Sequence, residues 1–167
     1  MAQYSYPPLP PIKRLGRTPP FTRIMTLAPG VITDPLHCSV TTINLEDTSP
    51  FEALSYVWGE RTALSPILCD GRPLFITLNL ELALRQLRYP TRPRILWVDA
   101  ICIDQDNIEE RSRQVQYMRL VYKRATRVVV WLGAKTAGIE QAFDTARRLA
   151  EIRTKQTNNS KSPYYWF

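Results

Sequence analysis

The strongest constraint in this chain is a pair of apolar runs set a helix's length apart. Ile95–Ile103 (ILWVDAICI) and Arg127–Leu132 (RVVVWL) are apolar almost throughout. Between them, Ile108–Ala125 repeats Val115, Met118, Tyr122 and Ala125 at the spacing of one helical face. A run without polar alternation suits a strand covered on both faces, as in a parallel sheet, and parallel strands need a crossover that a helix supplies. The order strand, helix, strand therefore predicts a βαβ unit. Asp106, Asn107, Glu109 and Glu110 stand at the start of the intervening helix, where capping and the helix dipole favour them. Asp99 interrupts the first run, and an ionised carboxylate in a buried strand must find a partner or raise its pKa. The plain role for it is a structural hydrogen-bond hub.

Upstream, the pattern changes to short β-branched or aromatic segments: Arg23–Leu27, His37–Leu45, Ala53–Trp58, Pro66–Cys69 and Pro73–Ile76. Asp70-Gly71 between the last two signals a hairpin, because a type I′ turn needs positive φ at both central residues. A helix follows, with Asn79 as its expected N-cap, Leu80, Ala83, Leu84 and Leu87 inward, and Glu81, Arg85 and Arg88 outward. Tyr89-Pro90 stops it. A last helix is expected over Gly138–Arg153, with Ile139, Phe143, Ala146 and Leu149 or Ala150 inward. The expected fold is α/β, a mostly parallel sheet flanked by helices, with added N-terminal antiparallel strands and a hairpin.

At 167 residues one core of useful size fits and a second does not. The expected domain is 21–153. Residues 1–20 hold six prolines and read as an extended, disordered leader. Residues 154–167 read as a polar tail whose aromatic end suggests a chain cut from something longer. No apolar run approaches the roughly 20 residues that cross a bilayer, and no secretory signal is present, which points to the cytoplasm.

The net charge of +7 raises nucleic acid or an anionic membrane as partners, but the basic residues are dispersed. The densest group, Arg85, Arg88, Arg92 and Arg94, lacks the aromatic interleaving of a single-strand binder and reads as a solvated face. No specific nucleic acid is expected. Three cysteines and one histidine, His37, offer neither a disulfide framework nor a zinc site. Cys102 is read as core, as are Trp97 and Trp131. The six glycines occur singly, so no phosphate loop exists, and there is no GxSxG elbow.

Three blocks carry more specific information: Phe51–Gly59 (FEALSYVWG), Leu96–Gln105 (LWVDAICIDQ) and Glu110–Gly133 (ERSRQVQYMRLVYKRATRVVVWLG). In this order and spacing, they resemble the heterokaryon-incompatibility (HET) domain of filamentous fungi, over about residues 21–150. Asp104 departs from the family's usual asparagine. The resemblance implies a role in self/non-self recognition and programmed cell death. It also implies a remote likeness to TIR domains, which share a flavodoxin-like core and in some members hydrolyse the nicotinamide–ribose bond of NAD. Partners implied are a second copy of the chain, or a NOD-like or other incompatibility protein.

Should the domain cleave NAD, it needs a carboxylate beside an oxocarbenium-like ribose and donors for the diphosphate. The candidate carboxylates are Glu110, Asp104 and Glu52, with Glu109 as a neighbour. Glu140 joins them if the helix after Arg127–Leu132 matches the one that bears the TIR glutamate. Glu109 and Glu110 equally fit plain capping. Gln105, Asp106 and Asn107 share the loop beyond the strand, and Arg111 or Arg113 could meet phosphate. Ser55, Tyr56, Trp58 and Gly59 end a strand where indole and phenol frame a pocket or pack in the core. Gln114 completes the motif residues. No resident cofactor or metal is expected, NAD being a substrate. The alternative is a non-enzymatic self-association or adaptor module.

Overall fold

The computed structural model describes residues 2–11, 19–47, 49–60 and 62–134. These form strands β1 (Phe21–Leu27), β2 (His37–Asn44), β3 (Glu52–Tyr56), β4 (Leu64–Cys69) and β5 (Arg72–Thr77), then helix α1 (Leu78–Leu87). Strand β6 (Arg94–Trp97), helical turn α2 (Asp99–Cys102), helix α3 (Ile108–Arg124) and strand β7 (Arg127–Trp131) follow. The helix expected over Gly138–Arg153 and the polar tail lie outside the described residues.

Among the described residues the strands make one seven-stranded sheet in the order β5-β4-β2-β1-β6-β3-β7. It is mixed rather than mostly parallel. β6, β3 and β7 run parallel as a contiguous block, and β2 pairs parallel with β4. β1 runs antiparallel to both β2 and β6. The first strand is therefore no added decoration: it sits at the sheet's centre and joins the two halves. Its composition suits that place, since Thr22, Arg23, Ile24, Met25 and Leu27 are all buried, as expected of a strand covered on both faces.

The Asp70-Gly71 turn forms as read. Cys69 pairs with Arg72 across it, and Asp70 and Gly71 hold φ of 49° and 76°, the positive pair of a type I′ turn. Helix α1 buries Leu80, Ala83, Leu84 and Leu87 as its spacing predicts, and each leucine contributes about 1.5–3 kcal/mol by leaving water. Its N-cap, however, is Thr77, whose hydroxyl accepts from Leu80 N. Asn79 is drawn into tertiary bonds instead: its amide donates to Val57 O at 2.5 Å and its carbonyl accepts from Trp131 Nε1 at 3.0 Å. Arg88 also departs from its expected outward place. It is buried and donates to the carbonyls of Val31, Asp34 and Pro35, clamping the β1–β2 loop.

The run Ile95–Ile103 does not continue as one strand. β6 stops at Trp97, and Asp99 opens a single helical turn in which its Oδ1 accepts from Ala100 N at 2.8 Å. This local bond from side chain to backbone competes with the strand pattern, and the carboxylate leaves the sheet. Downstream, Asn107 caps α3 through Glu110 N, with Glu109 and Glu110 in the first turn and Lys123 and Arg124 in the last, matching the helix dipole. The inward face differs from the one expected. Val115 is 56% exposed, whereas Glu110, Gln114 and Val121 are buried and Met118, Tyr122 and Ala125 pack partly against the core. Two polar residues occupy that face because β1 offers them partners.

Trp97 and Cys102 are core residues with no exposure. Burial pushes the Cys102 thiol up to about 12. Trp131 is only partly buried against the core. Within the leader, Tyr4 N donates to Pro73 O at 2.9 Å and Pro7 O accepts from Arg23.

Candidate functional site

The carboxyl ends of β3, β6 and β7 face one edge of the sheet, the usual place for a ligand in open α/β folds. Asp99 lies there, two residues beyond the end of β6. Trp58, two residues beyond β3, donates its indole N–H to Asp99 Oδ2 at 2.8 Å. The Tyr56 hydroxyl is buried beside Asp99: burial raises its phenol most, and the Asp99 charge raises it further. Gln105 donates to Asp99 O at 2.9 Å, tying the loop before α3 to the same corner. Gly59, with φ of 73°, turns the chain away under Asn79, a conformation that favours glycine.

Tyr122 of α3 completes the group. Burial raises its phenol, the Asp99 charge raises it further, and Ser55 opposes the shift. Its ring meets Trp97 edge-on at 6.0 Å. Sequence periodicity places Tyr122 on the inward helix face but leaves its polar tip unassigned; the available signal is that a buried phenol needs a polar neighbour.

Burial pushes the Asp99 carboxyl above the usual aspartate range, with the bonds from Trp58 and Ala100 opposing the shift. Among the described residues no lysine or arginine forms an ion pair with it. A half-buried carboxylate beside an indole and two phenols, with no ion-pairing cation among the described residues, is suited to accept a proton.

The carboxylates read from the sequence as candidate catalysts go elsewhere. Glu110 is buried, and its two oxygens accept from Arg23 at 2.6 and 3.0 Å, with Asp104 N on Oε1 at 2.8 Å. Asp104 is half-buried and its own Oδ1 accepts from Asp106 N. Glu52 begins β3, at the opposite end of the strands, between Arg94 and Arg127. Glu140 lies outside the described residues. Glu109 is exposed.

Of the motif residues, Ser55, Tyr56, Trp58, Gly59, Asp99 and Gln105 gather at one corner. Arg111 donates to Gln105 O at 2.9 Å and so borders it. Gln114 is instead engaged with β1, donating to Phe21 O at 2.8 Å, and its Oε1 has no partner among the described residues. Arg113 lines a small crevice against the leader, beside Leu9 and Tyr117. Among the described residues no group of three His, Cys, Asp or Glu side chains could hold a metal ion, and no helix is long and apolar enough to cross a membrane.

The family model described as heterokaryon incompatibility protein (HET) matches residues 51–166, a span that begins one residue before β3 and takes in every residue of this corner. A curated relative from Neurospora crassa, heterokaryon incompatibility protein 6, OR allele, is 39% identical over 144 residues, 78% of this chain. The chain spans 21% of that relative's length. Nothing among solved structures matches. The aromatic corner around Asp99 and the strand ends that build it thus fall inside a recognised unit, and the chain belongs to the heterokaryon incompatibility (HET) family.

Proposed function

We propose that this chain is the death-triggering domain of a fungal incompatibility system and that it hydrolyses the nicotinamide–ribose bond of NAD, or a related nucleotide, at the Asp99 corner. The observation that carries this reading is the half-buried Asp99 carboxylate, walled by Tyr56, Trp58 and Tyr122 and lacking a cationic partner among the described residues. The nicotinamide ring of NAD is a planar cation and suits both the aromatic faces and the carboxylate. As the bond from ribose C1′ to the ring nitrogen breaks, its electron pair leaves with neutral nicotinamide. Positive charge then develops on the ribose, where the carboxylate stabilises it. Water adds at C1′ and gives its proton to Asp99, whose raised pKa suits the role of acceptor.

The TIR-like relationship belongs to the same proposal and rests on a sheet with a parallel β6-β3-β7 block. The test is nicotinamide release by purified protein, dilute and under forced clustering, beside Asp99→Asn. Turnover that Asp99→Asn abolishes supports the reading. Turnover that survives Asp99→Asn moves the chemistry to another carboxylate, Glu140 first.

A second reading is favoured by apolar side chains flanking the corner. Val57 is 75% exposed, between Tyr56 and Trp58, and Leu132 after β7 is 58% exposed. Such a rim suits self-association, or docking of a NOD-like or other incompatibility partner, with killing relayed through that contact. Killing in cells that persists when no clustered state turns over NAD selects this second reading.

A further inference from the structure

We propose that a second cleft, at the amino ends of the parallel strands and so opposite the Asp99 corner, binds the phosphate of a small phosphomonoester. Glu52, Arg94 and Arg127 are the first residues of β3, β6 and β7. Because β3 lies between the other two, Glu52 sits between two guanidiniums. Its Oε2 accepts from Arg94 Nε at 2.5 Å and its Oε1 from Arg127 Nε at 2.7 Å. Arg94 is also buried, donates Nη1 to Leu87 O at 2.7 Å, and lies 5.0 Å from the Tyr89 ring centroid. It is held from three sides, and no bond to its Nη2 is made among the described residues.

Arg92 stacks on the same Tyr89 ring at 4.3 Å. It is exposed and has no carboxylate partner among the described residues. Between them opens a cleft of about 250 Å³ whose lining includes Glu52, Tyr89, Arg92 and Arg94, with Glu52 its one acid among the described residues. That acid is already divided between Arg94 and Arg127, so it leaves Arg92 without a counter-charge. The basic group that reads as a solvated face in the sequence is thus split in two. Arg85 and Arg88 clamp a loop, whereas Arg92 and Arg94 line the cleft.

A guanidinium presents paired N–H donors that match a phosphate's oxygens, and a dianion gains most from two of them. Arg94 is already fixed, so little order is lost there on binding, and Arg92 can close over the ligand. The volume is just below the roughly 300–1,000 Å³ of pockets for drug-sized ligands and is enough for a phosphate with a sugar. Its place at the amino ends of β3 and β6 separates this site from the NAD chemistry proposed at Asp99.

The experiment is calorimetric titration of the 167-residue chain with ribose 5-phosphate at low ionic strength, beside inorganic phosphate, neutral ribose and a phosphoserine peptide. The expected result is saturable binding of ribose 5-phosphate and of phosphate, none of ribose, and affinity that falls with added salt. Arg92→Ala and Arg92→Glu, at an exposed position, should keep the unliganded melting temperature. Each should weaken binding by about tenfold or more. No saturable binding of either phosphate overturns the proposal, as does binding that both variants leave intact. Binding of the phosphopeptide alone also overturns it, in favour of a protein partner.

Discussion

Glu110 holds Arg23 through both guanidinium Nη atoms, at 2.6 and 3.0 Å, although 87 positions separate them in the chain. The pair joins the central strand β1 to the first turn of α3, and it is enclosed: the side chains are 0% and 5% exposed. Arg23 Nη1 also donates to Cys102 O, so one buried cation ties together β1, α2 and α3.

Removing one partner of such a pair leaves an uncompensated buried charge. Glu110→Ala should therefore lower unfolding free energy by about 3–5 kcal/mol, measured by urea denaturation. Glu109→Ala, one position earlier and exposed, should change it by less than about 1 kcal/mol. Equal losses at the two positions would mean that the ion pair is not what anchors α3.

The Trp58 indole favours the ionised form of Asp99 by donating to it. Trp58→Phe keeps an aromatic ring but deletes that donor, so the Asp99 pKa should rise further. A carbon-detected NMR titration of the labelled aspartate carboxyl reads this directly. An unchanged or lower midpoint would contradict the bond's role.

Asp99 also makes stability depend on pH. Its folded pKa lies above the ordinary 3.8, so between those two values the folded state binds more protons than the unfolded state. Stability from this group therefore falls as pH rises through that window. Asp99→Asn removes the effect. The melting temperature of the variant minus that of the native chain should increase as pH rises from about 3.8. A difference that is flat or decreases would show that burial does not penalise the charge.

Gly71 holds φ of 76°, and a Cβ added there would meet no atom within 4 Å. The cost of Gly71→Ala is then backbone strain alone, about 1–2 kcal/mol. Hydrogen exchange should report it as a loss of protection concentrated in β4 and β5.

The face of α3 can be checked by a paired substitution. Val115→Lys, at an exposed site, should change stability by no more than about 0.5 kcal/mol, whereas Val121→Ala, at a position with no exposure, should cost about 1–3 kcal/mol. The reverse order would restore the face that periodicity alone suggests.

That face illustrates how much was legible beforehand. Val115, Met118, Tyr122 and Ala125 satisfy an apolar spacing, yet the buried positions include Glu110 and Gln114. Hydropathy assigns charged and amide side chains to water, and nothing local announces that Arg23 and the Phe21 carbonyl will meet them. The candidate site was half legible for the same reason. The sequence singles out Ser55, Tyr56, Trp58, Gly59, Asp99 and Gln105, but the carboxylates it puts forward as catalysts are Glu110, Glu52, Asp104 and Glu140. Two of those are saturated by arginine in the fold. Asp99 joins the corner only because the chain turns it out of the strand and against Trp58.

By itself the sequence determined what short-range geometry determines. Positive φ at Asp70 and Gly71 makes a two-residue hairpin, Asn107 caps α3, and leucines at helical spacing choose the buried face of α1. Each depends on residues within a turn or two of one another, where conformational preference and side-chain capping act without help from the rest of the chain. The tertiary structure alone decided that β1 would stand at the centre of a mixed sheet, that Thr77 rather than Asn79 would cap α1, and that Trp58 would reach Asp99. Those outcomes compare the free energies of pairing segments tens of residues apart, and a strand's periodicity is the same whichever neighbour it finally joins.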